Sequence, residues 1–256
     1  MVQSKREVLA VTGKGGTGKT TLVAIMAKIL AATGKAKLLV VDADPPVSLT
    51  HALGGKPVKT IGEMRRKLIE DPEEKRRIGD KHIRDVILDE AIIDLNGISL
   101  LVMGRAEGPG CFCSINDLLR FGIESLSKRF DITLIDCEAG IEQVNRRVID
   151  TISTLVMISD ATIRGIQTAA YLKEIAQDYG VQKPHRTGLI INRIKKEREQ
   201  IKEKAQEIGL KIFGFIPEDE NITKYNLIGK PIIDLPDTSP SVIAVREILK
   251  NFSLMT

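Results

Sequence analysis

The chain has 256 residues, 43% of them hydrophobic and 28% charged, which suits one α/β unit spanning 1–256 with a sizeable core and excludes a disordered chain. No apolar run approaches the ~20 residues of a transmembrane helix, and the N-terminus lacks a signal-peptide core, so a cytoplasmic protein with no membrane partner is expected. The net charge of +4 comes from 38 basic and 34 acidic residues, tryptophan is absent and aromatics make up 4%; the charges interleave, as in Glu70-Asp71-Pro72-Glu73-Glu74-Lys75-Arg76-Arg77, which argues against a nucleic-acid stripe or stacking platform.

The first predicted strand, over 7–12, runs into Gly13-Lys14-Gly15-Gly16-Thr17-Gly18-Lys19-Thr20. This loop fits the phosphate-binding pattern GxxxxGK(S/T). Its glycines let successive backbone N–H groups converge on one point, and the next helix adds its positive N-terminal end. That helix is predicted from Leu22, Ile25, Met26, Ile29 and Leu30 on one face. In the roles the motif assigns, Lys19 reaches the β- and γ-phosphates of ATP, the Thr20 hydroxyl ligates Mg²⁺, and Thr21 contacts the α-phosphate.

A second strand over 37–42 ends in Asp42-Ala43-Asp44-Pro45. A carboxylate just past a strand end can orient the water that attacks a γ-phosphate, a role expected of Asp44, while Asp42 is expected to support the Mg²⁺ shell. The charged stretch from about Ile61 to Asp94 reads as helices over one face, broken at Asp71-Pro72. Strands follow at 98–103 and 131–137; the apolar run Ile132 to Asp136 in the latter looks like a Walker B strand leading into a switch segment, and that likeness implies that Asp136 holds Mg²⁺ through water and that the Gly140 N–H senses the γ-phosphate. Further strands at 153–159, 187–192 and 211–216 alternate with helical patterns, and a closing helix is predicted from Ser241 to Phe252. Together these elements predict a mainly parallel sheet flanked by helices on both faces.

Between the strands at 98–103 and 131–137 lies Gly108-Pro109-Gly110-Cys111-Phe112-Cys113. Thiolates are soft donors that favour Ni²⁺, Zn²⁺, Cu⁺ or iron–sulfur clusters over Mg²⁺. A single CxC pair supplies two ligands, half of a tetrahedral site, which a twofold dimer would complete at its axis.

The run Lys14 to Thr20 resembles the deviant Walker A loop of the SIMIBI ATPases, the class of MinD, ParA, nitrogenase iron protein and the metal-centre maturation ATPases. The resemblance implies a P-loop NTPase fold and a homodimer in which Lys14 reaches phosphate bound to the opposite subunit. Asp42-Ala43-Asp44-Pro45 resembles the switch I DxDP of that class, although Pro46-Val47-Ser48 departs from the residues usual after it. The segment Ile132 to Glu142 resembles Walker B running into switch II. Asn192, at the end of Leu189-Ile190-Ile191, resembles the Asn that reads adenine, and Pro217 lies in the segment resembling the loop that closes over the base.

Over essentially the whole chain, Met103-Gly104-Arg105, the CxC loop and Asp136 to Glu142 resemble the CooC family of carbon monoxide dehydrogenase accessory ATPases. That resemblance implies ATP hydrolysis to ADP, nickel insertion with carbon monoxide dehydrogenase as client, and Cys111 and Cys113 as Ni²⁺ or Zn²⁺ ligands between subunits. Cys137 stands outside that pair and is expected to be a buried structural thiol. Two other readings stay open: an iron–sulfur ATPase like nitrogenase iron protein, and a spatial regulator like ParA or MinD.

Overall fold

The computed structural model describes residues 6–56, 59–73, 76, 82–105, 113–138, 151–179, 184–196 and 198–255. Its strands are β1 (Glu7–Gly13), β2 (Leu38–Asp42), β3 (Ile93–Leu95), β4 (Ile98–Val102), β5 (Ile132–Asp136), β6 (Thr154–Asp160), β7 (Arg186–Ile194) and β8 (Ile212–Pro217). They form one eight-stranded sheet in the order β3-β4-β2-β5-β1-β6-β7-β8. Every pairing is parallel except β3 with β4, an antiparallel hairpin across Asn96 and Gly97.

The helices among the described residues are α1 (Lys19–Thr33), α2 (Ser48–Ala52), α3 (Ile61–Glu70), α4 (Ile83–Ala91), α5 (Cys113–Leu126), α6 (Ile163–Tyr179), α7 (Arg198–Glu207), α8 (Glu220–Leu227) and α9 (Pro240–Asn251). Strand residues alternate between two cores. Leu9, Val11, Val40, Leu134, Val156 and Ile190 pack with α1 and α9, through Leu22, Ile25, Met26, Val242, Val245 and Leu249. Val8, Ala10, Leu39, Val41, Met157 and Ile191 face the other way, toward Ile61, Leu88, Leu119, Ile123, Ile166, Leu172 and Ile201. The central strands are covered on both faces, which is why β1, β2 and β5 read as continuous apolar runs rather than alternating ones.

Local chemistry sets the element ends. Thr60 and Glu63 form a reciprocal capping box at the start of α3, with both bonds at 3.1 Å. Helix α3 stops at Asp71, before Pro72, as the sequence predicts. Helix α9 matches the closing helix predicted from Ser241 to Phe252 and buries Val242, Val245, Ile248 and Leu249. One expectation is corrected: the stretch to Asp94 is not helical throughout. Ile93 and Asp94 belong to β3, where three residues pair across a tight turn with the edge of the sheet. Cross-strand pairing overrides the helical charge pattern there.

The site at the carboxyl ends of the strands

The chain runs from β1 outward to β2 and β4, returns to β5, and then crosses to β6 on the other side of β1. The strand order therefore reverses around β1, and such a switch point opens a crevice at the carboxyl ends of the strands. The Gly13–Thr20 loop lies there, between the last residue of β1 and the first turn of α1.

Gly16 and Gly18 take φ of 77° and 99°, a region that L side chains rarely adopt, so the turn depends on them. Gly18 is also the N-cap of α1 and supplies no side chain to the helix end, whose first turn holds no acidic residue. The N-terminal amides of α1 and its dipole thus remain available to an anion. Lys19 is 8% exposed and folds back over the loop, its Nζ donating to the Gly13 carbonyl at 3.3 Å and the Lys14 carbonyl at 3.4 Å. Thr17 pins the turn through Oγ1, which donates to the Lys14 carbonyl at 2.8 Å. Lys14 and Gly15 are exposed, and Thr20 and Thr21 are half-buried.

Two carboxylates face this loop from adjacent strands. Asp42 and Asp136 are register partners across β2 and β5, and Asp136 pairs in turn with Val11 of β1. Asp42 is fully buried, and its oxygens accept from the backbone N–H groups of Asp44 at 3.2 Å and Leu49 at 3.1 Å. Burial, reinforced by the Asp136 charge, pushes its carboxyl up to about 7 despite those two bonds. Asp136 is 1% exposed, and neither of its oxygens has a hydrogen-bond partner of regular geometry. Burial pushes its carboxyl up to about 6, while the nearby Thr20 hydroxyl and Lys19 ammonium pull it down.

An orphaned buried carboxylate beside a threonine hydroxyl is an all-oxygen donor set suited to a hard divalent cation such as Mg²⁺. The residues present fit that ion. Asp44 is half-buried, and its carboxyl is raised by burial against the pull of Lys19. Val47, in the Pro-Val segment after the two aspartates, has φ of 59° and caps α2. A β-branched residue in that region marks local strain in the loop joining Asp44 to α2.

Asn192 and Arg193, at the far end of β7, reach across to the loop. Asn192 Nδ2 donates to the Thr17 carbonyl at 2.8 Å, and an Arg193 guanidinium N–H donates to the Gly16 carbonyl. Pro217 ends β8 opposite Ile194. Arg193 does not follow from the motif, and its only sequence signal is its place after an apolar strand ending in Asn. Cys137 is buried, with its thiol pushed up to about 12 by burial and by Asp136, as expected for a structural thiol. Cys111 and Gly140 lie outside the described residues, and Cys113 enters only as the first backbone position of α5. Among the described residues, no group of three or more His, Cys, Asp or Glu could hold a metal, and no helix is long and apolar enough to cross a membrane.

Known proteins share this arrangement. Residues 8–232 match the family described as the CobQ/CobB/MinD/ParA nucleotide binding domain. An uncharacterised ATP-binding protein of Methanocaldococcus jannaschii is 36% identical over 94% of this chain and 96% of its own length. The carbon monoxide dehydrogenase accessory protein CooC of Rhodospirillum rubrum is 34% identical over 68% of this chain and 70% of its own. In structure, MinD of Pyrococcus horikoshii complexed with Mg-ADP superposes with a TM-score of 0.70 at 21% identity, covering 96% of each chain. That likeness supports the P-loop NTPase fold. The glycine loop at the switch point, the carboxylates beside it and a family match over most of the sequence make this chain a member of the CobQ/CobB/MinD/ParA family of nucleotide-binding P-loop proteins.

Proposed function

We propose that residues 1–256 form one Mg²⁺-dependent ATPase unit, converting ATP to ADP and phosphate, that works as a homodimer in the maturation of a metal centre. The observation that carries the ATPase reading is Asp136, a buried carboxylate without a regular hydrogen-bond partner beside Thr20 and Lys19. In this reading the backbone of Gly13 to Gly18 cradles the phosphates, Lys19 binds the β- and γ-phosphates, and Thr21 the α-phosphate. Thr20 and Asp136, with Asp42 in support, would hold Mg²⁺. When bound, Mg²⁺ neutralises charge on the β- and γ-oxygens.

Asp44 orients a water in line with the γ-phosphorus. The water oxygen bonds to phosphorus, the bond to the bridging oxygen breaks with its electron pair going to ADP, and both protons of the water leave on the phosphate product. Asn192 and Pro217 face the base. Phosphate release from Lys19→Ala protein at the wild-type rate would remove this reading.

The metal-centre half of the proposal is supported by likeness to CooC and by the thiols of Cys111 and Cys113. Lys14, exposed at the loop, contacts phosphate in the opposite protomer. ATP binding closes the dimer, hydrolysis opens it, and a Ni²⁺ or Zn²⁺ held by two CxC pairs is passed to a client of the carbon monoxide dehydrogenase kind. Equilibrium dialysis of Cys111→Ala/Cys113→Ala protein tests this, since retention of about one Ni²⁺ or Zn²⁺ per dimer would refute the shared thiolate site. Light scattering with no nucleotide, with ADP and with a non-hydrolysable ATP analogue tests the dimer; a monomer in all three states would refute the role of Lys14 in trans.

A second reading, a spatial regulator, is favoured by one observation: MinD of Bacillus subtilis is 24% identical over 95% of the chain. ATP-dependent, salt-sensitive retention on DNA or anionic liposomes would select it over the metal-centre reading.

A further inference from the structure

The end of β7 meets the phosphate loop through consecutive residues acting on consecutive carbonyls. Asn192 Nδ2 donates to the carbonyl of Thr17 at 2.8 Å, and the Arg193 guanidinium donates to the carbonyl of Gly16. The Asn192 side chain is engaged at both ends, because its Oδ1 accepts the Arg193 backbone N–H at 3.0 Å. Arg193 is exposed and takes φ of 57°, an uncommon conformation for a residue other than glycine. That turn is the conformation in which its N–H meets Asn192 Oδ1 while its side chain meets the loop.

The peptide group is planar and, throughout the described residues, trans, so a carbonyl drawn to one side sets the N–H of the next residue on the other. Holding the Thr17 carbonyl on Asn192 turns the Gly18 N–H away from β7, while holding the Gly16 carbonyl on Arg193 fixes the next peptide, whose Thr17 N–H donates to the Lys14 carbonyl at 3.4 Å and closes the turn. The Gly18 amide belongs to the segment whose N–H groups must converge on an anion, and the Thr17 bond holds the turn that presents it. The fit is close: a Cβ placed on Gly18 would stand 2.5 Å from Asn192 Nδ2. Between Gly15 and Gly18 the loop is rich in glycine, the residue that loses most conformational freedom when ordered, so an outside brace shifts the cost of ordering from binding to folding.

We infer that Asn192 and Arg193 are positioning residues for phosphate binding, a brace that orients the P-loop amides from the neighbouring strand, in addition to any contact Asn192 makes with a base. This rests on the nucleotide-phosphate reading of the same site and adds a property that reading does not contain. Loss of the brace should weaken every phosphate chain equally, whatever base it carries.

The test is calorimetric titration of wild-type, Arg193→Ala, Arg193→Lys and Asn192→Ala proteins with tripolyphosphate, MgADP, MgATP and MgGTP, with a melting curve for each protein. For Arg193→Ala the expected result is a loss of about tenfold in affinity for all four ligands, the size of one hydrogen bond to a charged group. The ratio of MgATP to MgGTP affinity should stay constant and the melting temperature close to wild type, because Arg193 is exposed. Arg193→Lys should recover part of the loss, since an ammonium can also donate to the Gly16 carbonyl. Asn192→Ala should weaken tripolyphosphate as it weakens MgATP.

Unchanged tripolyphosphate affinity in Arg193→Ala and Asn192→Ala would overturn the brace, as would a collapse of ATP-over-GTP discrimination in Asn192→Ala with tripolyphosphate unaffected. A wild-type protein that binds none of the four ligands would overturn the ATPase reading and the brace together, an outcome distinct from failure of the brace alone.

Discussion

Asp136 and Asp219 are both buried carboxylates, at 1% and 5% exposure, and they are opposites. Asp219, the N-cap of α8, accepts the Asn221 N–H at 2.9 Å, the Ser241 N–H at 3.0 Å, the Ser241 hydroxyl at 2.6 Å and the Ser239 hydroxyl. Burial pushes its carboxyl up, but those bonds outweigh burial and hold it below the usual carboxylate range. It ties the start of α8 to the start of α9, so it serves the fold. Asp136 has no such complement, and its carboxyl is held high. One buried acid is satisfied four times over, while the other stands at a strand end beside Lys19 and Thr20 without a partner of regular geometry, the contrast expected if the second serves the proposed Mg²⁺.

The sharpest way to break this contrast is to neutralise each acid in turn. Asp136→Asn should lower Mg²⁺-dependent phosphate release by about 10²–10³-fold, the scale of losing one preorganised electrostatic group, while the urea midpoint holds or rises because a bare buried charge has been removed. A fall in both would place Asp136 with the structural acids. Asp219→Ala should do the reverse, costing about 3 kcal/mol of stability, since two hydroxyls and two helix-terminal amides lose their acceptor. Its turnover number should change little; a large fall in turnover at full stability would tie Asp219 to the chemistry.

Ligand protection gives a smaller effect. MgADP at a hundred times its Kd should stabilise the wild type by about 2.7 kcal/mol against unfolding, and EDTA or Asp136→Asn should reduce that protection if the carboxylate serves the cation.

The pH profile of EDTA-treated protein sharpens the same contrast. The Asp219 pKa lies below its unfolded value of 3.8, so its contribution is complete above pH 3.8 and is lost as pH falls through the lower folded value. Asp42 and Asp136 are raised from 3.8 to about 7 and about 6, so the native state binds more protons than the unfolded one across that interval. Their contribution is therefore complete below pH 3.8 and is lost as pH rises through 6 to 7. Urea midpoints at steps from pH 3 to 8 should show both slopes, with Asp219→Asn flattening the acid one and Asp136→Asn the neutral one.

What the sequence reveals follows how local each feature is. Loop chemistry between a strand and a helix depends on eight neighbouring residues, so Gly13 to Thr20 is legible at once. The acids at the ends of β2 and β5 are legible as strand ends, and the register that makes them neighbours follows from parallel pairing. Strand β3 is missed because three residues carry too little periodicity to stand out from charged helical surroundings. The brace from Arg193 joins residues 177 positions apart, and no spacing rule reaches that far. Asp219 lies between these cases: an Asp just before a helical pattern signals an N-cap, but its bonds to Ser239 and Ser241 depend on how α9 packs.

Strand β1 sits inside the sheet, bonded along its length to β5 and β6, whereas β8 is an edge whose register with β7 slips twice. Amide exchange should therefore be slowest under the glycine loop and fastest toward Pro217. In the proposed binding mode the two ends of a nucleotide would then meet surfaces of unequal stiffness: an anvil under the phosphates and a hinged cover over the base. Local opening of the edge could free the base while the phosphate grip stays folded, so release of a spent nucleotide need not begin by disturbing the centre of the sheet.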